Sequence, residues 1–235
     1  MPNGIVLSDL HLFAKRSDSN LIESTLTEIP RNTDFVVLNG DIFDFRWSCF
    51  PTAEDTVFQA KEWLCNLKQS LPSSQIYYIM GNHDCSPLWA ETLQQITDDK
   101  FFWSETHFQI GESLFIHGDL PLEGRNPFYR DLTKHHKRMP AYHMMDFLYE
   151  TAVNTRLHKL TRFLGSPDLH VSRIYEAIQT HKPEYLDQLK HVYFGHTHAP
   201  FSGYEFEGIS FYNTGSGIKF MNMNKIDIIH ESKEE

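Results

Sequence analysis

Apolar residues along this chain come in short, unbroken runs separated by polar loops, and the loops carry the chemistry. Residues 4–7 (Gly-Ile-Val-Leu), 35–38 (Phe-Val-Val-Leu) and 76–80 (Ile-Tyr-Tyr-Ile-Met) are uniformly apolar and mostly β-branched or aromatic. Such runs predict strands buried on both faces, because a half-exposed strand would alternate with polar positions. Between them, residues 20–29 and 54–71 place apolar side chains at helical spacing, among them Phe58, Leu64, Leu67 and Leu71 in the second. Alternating strand and helix signals predict βαβ units and a largely parallel first half.

After residue 100 the rhythm changes. Strand signals follow closely at 101–103, 107–110 and 113–116, with Gly111-Glu112 as a hairpin turn between the last two. Further strands are expected at 191–194, 204–212 and 225–229. The order fits an α/β fold, a four-layer α/β/β/α sandwich of two mixed sheets flanked by helices. Residues 121–183 carry no strand signal, only helix-like text at 142–164 and 168–180, where Ser166-Pro167-Asp168 resembles a helix start. The expectation is one domain over residues 1–235 with a helical cap inserted at about 121–185.

Composition narrows the function classes. With 235 residues, 40% of them hydrophobic, the chain can bury one large core. A formal charge of −10 argues against nucleic acid or a broadly anionic membrane as partner. Part of the cap runs against that average: over residues 125–162, Arg125, Arg130, Lys134, Lys137, Arg138, Arg156, Lys159 and Arg162 face only Asp131, Asp146 and Glu150. Interleaved Met and Phe residues make the same segment an ordinary amphipathic packing element or a cap for an anionic, partly apolar substrate. Cys49, Cys65 and Cys85 form no CxxC pair, so a thiolate zinc site is not indicated and a reducing compartment is. No stretch reaches the roughly 20 apolar residues of a membrane span, and the start lacks a signal-peptide pattern. A cytoplasmic protein is expected, with peripheral attachment at the inner membrane face left open.

Hard oxygen and imidazole donors follow the apolar runs: Asp9 and His11 in SDLH, Asp41 in NGD, Asn82 in GNHD, His117 in HGD, and His196 and His198 in GHTH. Any one of these is more often a turn former or a satisfied polar residue than a ligand. Five such motifs, each at the end of an expected strand, point instead to a shared centre, since open α/β sheets bind at the carboxyl ends of their strands. Carboxylate, amide and imidazole together suit Mn, Fe, Co or Zn.

Asp9-x-His11, Gly40-Asp41-x-x-Asp44, Gly81-Asn82-His83-Asp84, the His117 motif and Gly195-His196-x-His198 together resemble the signature of the calcineurin-like metallophosphoesterases. That resemblance, over about residues 5–215, implies two divalent transition metal ions, manganese first among them. One would be held by Asp9, His11, Asp41 and His198; the other by Asp41, Asn82, His117 and His196. It also implies His83 as a catalytic histidine oriented by Asp44, and hydrolysis of a phosphodiester or pyrophosphate by a hydroxide lying between the ions. Within the superfamily the layout is similar to the UDP-2,3-diacylglucosamine diphosphatases, which implies a phosphate-containing, lipid-linked substrate. The chain departs from that group at His83, where an arginine commonly stands. Arg46, Arg125, Arg130, Lys134 and Arg138 are candidate phosphate contacts. A phosphomonoesterase or protein phosphatase of the same superfamily is the alternative, and a catalytically silent scaffold the weakest, because every expected side chain is present.

Overall fold

The computed structural model describes residues 3–119, 126–132 and 166–229. Among these residues, ten strands form two five-stranded sheets. The first has the order β10-β1-β2-β3-β4 and the second β5-β6-β7-β9-β8. In the first sheet, β1 (Asn3–Leu7), β2 (Phe35–Asn39), β3 (Gln75–Ile79) and β4 (Phe101–Ser104) run parallel, and β10 (Ile226–Ile229) closes the edge antiparallel to β1. The connections carry α1 (Ser19–Thr27), α2 (Ala53–Ser70) and α3 (Pro87–Ile96).

The apolar runs are continuous because these strands are covered on both faces. Ile5, Leu7, Val36, Leu38, Ile76 and Tyr78 join Ile22, Leu64, Trp89 and Leu93 in a core beneath the three helices. Their alternates Val6, Phe35, Val37 and Ile79 face the other way and meet Phe115 and Tyr193 of the second sheet. The period of two thus sorts one strand's side chains into two different cores.

In the second sheet, β5 (His107–Ile110) and β6 (Ser113–Ile116) form the expected hairpin about Gly111, with Ile110 opposite Ser113. β6 pairs in parallel with β7 (His191–Phe194), and β7 with β9 (Ile209–Asn213). The outer face carries Leu114, Ile116, Val192 and Phe194 against Val171, Ile174 and Ile178 of α4 (Pro167–His181). A one-turn helix, α5 (Pro183–Leu186), follows. Helices, sheet, sheet and helix therefore stack in four layers.

Two expectations change. Residues 204–212 are not one strand: β8 (Phe201–Phe206) and β9 form an antiparallel hairpin turned at Glu207 and Gly208, both at positive φ. Such a two-residue turn matches the twist of its strands and commonly places glycine second. α3 was not expected, although Ser86 caps it through the Trp89 amide and Pro87 opens it. The helix-like stretch at 142–164 and most of the cap lie outside the described residues. No described helix is long and apolar enough to cross a membrane.

Candidate metal centre

The motif loops leave β1, β2, β3, β6 and β7 at their carboxyl ends, so both sheets deliver side chains to one seam. The loops after β1 and β2 continue side by side beyond the sheet. The amides of Asp9, His11 and Leu12 donate to the carbonyls of Gly40, Asp41 and Ile42, and Asp44 donates back to Leu12. Across the seam, the Gly195 amide donates to the His117 carbonyl. Asn39, fully buried at the end of β2, donates through Nδ2 to the Ile116 and Tyr193 carbonyls at 3.1 Å each. One side chain thereby joins the two sheets where the site begins.

Asp9, His11, Asp41, His196 and His198 all have left-handed backbones, with φ between 50° and 63°. Asp and His tolerate that conformation better than branched residues, and it turns their side chains inward from an abruptly ending strand. Glycines leave the room. A Cβ at Gly81 would overlap the Asp41 backbone and carboxylate, and one at Gly195 would overlap the Asp9 carboxylate and Ser8.

Three groups of donor atoms result: one of His11, Asp41 and His83, and two that share no residue with each other. Of these two, Asp9, His11 and His198 form the first and Asp41, His117 and His196 the second, each with its donor atoms within 4.8 Å of one another. In the first, His198 Nε2 lies 3.2 Å from both His11 Nε2 and Asp9 Oδ1. In the second, His117 Nε2 lies 3.3 Å from Asp41 Oδ2. The same Asp41 oxygen is 3.9 Å from His11 Nε2 in the first group. Donors bonded to one ion at about 2.1 Å sit roughly 3–3.5 Å apart, so these spacings suit a cation within each group. Asp41 Oδ2, Asn82 Oδ1 and His117 Nε2 are buried without a hydrogen-bond partner among the described residues. Buried polar atoms are rarely left so unless an ion or water satisfies them, and the donor set therefore fits divalent metal.

Surrounding bonds hold these atoms in place. His117 Nδ1 lies 3.1 Å from the Asn39 carbonyl, which takes its proton and turns Nε2 toward Asp41. Asp9 Oδ2 accepts from Ser8 Oγ at 2.6 Å and from the His196 amide at 2.9 Å. Asp41 Oδ1 accepts from the His83 amide at 2.7 Å, leaving Oδ2 for the seam. Asp84, fully buried, accepts from the Gly81 and Ile42 amides and the Tyr78 hydroxyl, and so ties the Asn82 loop to the Asp41 loop. Burial, reinforced by nearby Asp41, pushes the Asp84 carboxyl up to about 6.

Charges oppose one another here. Burial would raise the Asp41 carboxyl, but His117 and His83 hold it well below the ordinary range. Burial would lower His117, yet Asp41 outweighs it and the imidazole rises to about 10. His11 falls to about 3 through burial and the charge of Arg16, and His196 to about 4 through burial and His117. His11 and His196 are thus neutral beside ionised carboxylates, as metal ligands must be, whereas His117 has to give up a proton to bind.

Beside this centre, His83 Nδ1 is 3.1 Å from Asp44 Oδ1, so a buried carboxylate orients a ring that is 17% exposed. Burial opposes charge on His83, but Asp41 and Asp44 raise its pKa. Arg16, which the motif pattern did not single out, bonds Asp44 Oδ2 at 2.6 Å. Nor did the sequence identify Asn39 or the role of Asp84. Of the candidate phosphate contacts, Arg46 is exposed, with its guanidinium 5.9 Å from the Trp47 ring. Arg130 is buried in a two-pronged bond to Asp119, at 2.7 and 2.8 Å, with Nε on the Glu105 carbonyl. Arg125, Lys134 and Arg138 lie outside the described residues.

Carboxylates and imidazoles gathered in two adjoining groups, with one carboxylate between them, could hold two metal ions, as a dinuclear metallohydrolase centre requires. The calcineurin-like phosphoesterase family model matches residues 5–200. The chain belongs to that family and is a metal-dependent phosphoester hydrolase with two divalent ions. Among solved structures, it is similar to a conserved uncharacterized protein, a predicted phosphoesterase, from Streptococcus pneumoniae TIGR4. That match has 15% identity and a TM-score of 0.35, covering 91% of this chain and 72% of the other. It is also similar to a dimetal phosphatase from Danio rerio, at 12% identity and a TM-score of 0.48, over 92% and 88% of the two chains. No curated protein matches the chain.

Proposed function

We propose that Asp9, His11, Asp41 and His198 hold one divalent ion and Asp41, Asn82, His117 and His196 the other, manganese before iron, cobalt or zinc, for cleavage of a phosphodiester or pyrophosphate. The position of Asp41 Oδ2, 3.3 Å from His117 Nε2 and 3.9 Å from His11 Nε2, carries this reading, because a carboxylate oxygen there serves both groups. Bound ions would acidify a water and clamp the phosphoryl oxygens. The remaining work falls to the protein. Asp44 fixes His83 through Nδ1, leaving Nε2 as its outward nitrogen. Water oxygen bonds to phosphorus, the bond from phosphorus to the leaving oxygen breaks, and that oxygen takes the His83 Nε2 proton; the proton lost by water restores the ring.

The substrate class we favour is a nucleotide-linked lipid pyrophosphate such as UDP-2,3-diacylglucosamine, met at the inner membrane face by a cytoplasmic, single-domain protein. Arg46 and the cap residues Arg125, Lys134 and Arg138 would meet its phosphates, Arg130 being engaged by Asp119, and nucleic acid would not be a partner. The basic and apolar composition of residues 121–185 supports this choice.

Metal content and turnover of Asp41→Asn and His83→Ala test the assignment. Asp41→Asn should lose metal and activity together, while His83→Ala keeps both ions and loses on the order of 10²–10⁴ in turnover, the contribution of a general acid. A fully active, fully loaded Asp41→Asn protein would sink the assignment. Cleavage of phosphomonoesters alone, in a panel with UDP-linked diacyl sugar, dinucleotides and cyclic nucleotides, would overturn the pyrophosphate reading.

A further inference from the structure

Arg16 stands five residues beyond His11, with its side chain 9% exposed. Its Nη2 is 2.6 Å from Asp44 Oδ2, 3.1 Å from His11 Nδ1 and 3.3 Å from His83 Nδ1. Its carbonyl accepts from the Lys219 amide at 2.8 Å, and the neighbouring Asp18 amide donates to the Gly217 carbonyl at 2.7 Å. The guanidinium therefore starts from backbone tied to residues 217–219 and ends inside the site. Asp44 is fully buried and divides its oxygens: Oδ2 receives Arg16, and Oδ1 receives the Trp47 amide at 2.9 Å and His83 Nδ1 at 3.1 Å.

That division has a steric consequence. Asp44 Oδ2 also lies 3.5 Å from His11 Nδ1, so two imidazoles compete for one carboxylate. A carboxylate free to turn could favour the wrong ring or bond both poorly. A charged donor locked on Oδ2 removes that freedom, because charge-assisted bonds are short and strongly directional. Burial would push the Asp44 proton affinity up, and the Arg16 charge is the largest influence holding it down. We propose that Arg16 is a positioning residue for phosphoryl transfer: by holding one oxygen of Asp44 it fixes the other on His83 Nδ1, and so aims His83 at the leaving oxygen.

This rests on His83 acting as the proton donor, and its test separates the two ideas. The probes are aryl esters of uridine 5′-monophosphate, with phenols ranging from nitro-substituted to methoxy-substituted, cleaved by the metal-loaded enzyme. Poor leaving groups need the proton and good ones do not. His83→Ala should therefore lose little on the nitrophenyl ester and on the order of 10² or more on the methoxyphenyl ester. Arg16→Met should show the same tilt at roughly tenfold or more on the poor leaving group, a fraction of the general-acid effect, with two ions still bound. Arg16→Lys, which keeps charge and one donor, should recover most of the loss. Adding Arg16→Met to His83→Ala should not steepen the dependence further.

A flat response in His83→Ala would defeat the proton-donor reading itself. A tilt in His83→Ala with a uniform loss in Arg16→Met, or loss of metal in Arg16→Met, would overturn the inference and make Arg16 a support of the metal ligands. If Arg16→Met does not fold, Arg16→Gln carries the same comparison.

Discussion

Gly81→Ala isolates the geometry of the centre from its chemistry. Gly81 does not occupy a left-handed backbone, so alanine meets no conformational penalty there, and the effect comes from one added methyl. Its carbon would lie 2.7 Å from Asp41 Cγ, with Asp41 Oδ1 and the Asp41 amide nitrogen nearer still, whereas ordinary contact begins at 3.4 Å. One of the partners is backbone, so rotating a side chain does not relieve the overlap. Asp41 and Gly81 must separate by about 1 Å, and overpacking of that kind costs about 1–3 kcal/mol of stability. The larger effect is on the site. Asp41 Oδ1 holds the His83 amide at 2.7 Å and Oδ2 faces both donor groups, so one shift disturbs both ion positions and His83. Metal bonds tolerate displacements of about 0.2 Å. A misplacement near 1 Å typically removes about 10²-fold in rate, and disturbed supporting bonds weaken metal binding about 10–100-fold. Metal stoichiometry by plasma mass spectrometry, activity against added Mn2+, and thermal melting would measure the three effects. Gly203→Ala is the control: it has φ of +68° and nothing within 4 Å, so it adds backbone strain and leaves the site alone. A Gly81→Ala protein that binds two ions with unchanged affinity and turns over at the parent rate would refute the reasoning.

Two further outcomes follow from the same geometry. Asn39→Ala deprives the buried Ile116 and Tyr193 carbonyls of their donor at the join between the sheets, and should lower stability by about 2–4 kcal/mol in urea unfolding, from two broken buried hydrogen bonds at about 1–2 each; a change below about 0.5, the scale of an inert surface substitution, would contradict it. Stripped of metal by a chelator, the protein should carry a proton on His117, whose pKa stands at about 10 against 6.5 for the free side chain. That proton stabilises the stripped fold fully below pH 6.5, and its contribution is lost as pH rises through about 10. Adding Mn2+ near pH 8 must expel it, so calorimetry in buffers of different ionisation enthalpy should register proton release, and a buffer-independent heat would count against a raised His117.

How much of this could be read in the chain depended on sequence distance. The strands of the first sheet were legible because burial on both faces writes itself as unbroken apolar runs, and the donor side chains that meet at the seam because each follows its strand within a few residues. Arg16 and Asn39 left no local mark. Arg16 finds Asp44 28 residues away, and Asn39 finds its two carbonyls 77 and 154 residues away. A lone arginine or asparagine is uninformative until the fold supplies its partner. The β8–β9 hairpin was read as one strand because Glu207-Gly208 sits between two runs of aromatic residues, and the positive φ of both turn positions cannot be seen in an isolated Glu. Arg130 shows the reverse hazard: the basic stretch suggested a phosphate contact, but Asp119 lies 11 residues back in the HGD motif and engages both ends of its guanidinium.

The left-handed residues connect the fold to the chemistry most directly. Asp9, His11, Asp41, His196 and His198 are five of the seven expected ligands, and each such non-glycine conformation costs on the order of 1–3 kcal/mol unless its surroundings compel it. Their surroundings do. The Asp9 and His11 amides are bonded to the loop after β2, the His196 amide to the Asp9 carboxylate, and the Asp41 carboxylate to the His83 amide. Four of the five strained residues are thus held by another motif of the same site. The strain cannot relax in one loop without dragging its neighbour, so the donor spacing is set before any ion arrives. Such a centre should bind metal with little rearrangement of its loops, and its weak points are the cross-loop contacts at Gly81, Gly195 and Asn39.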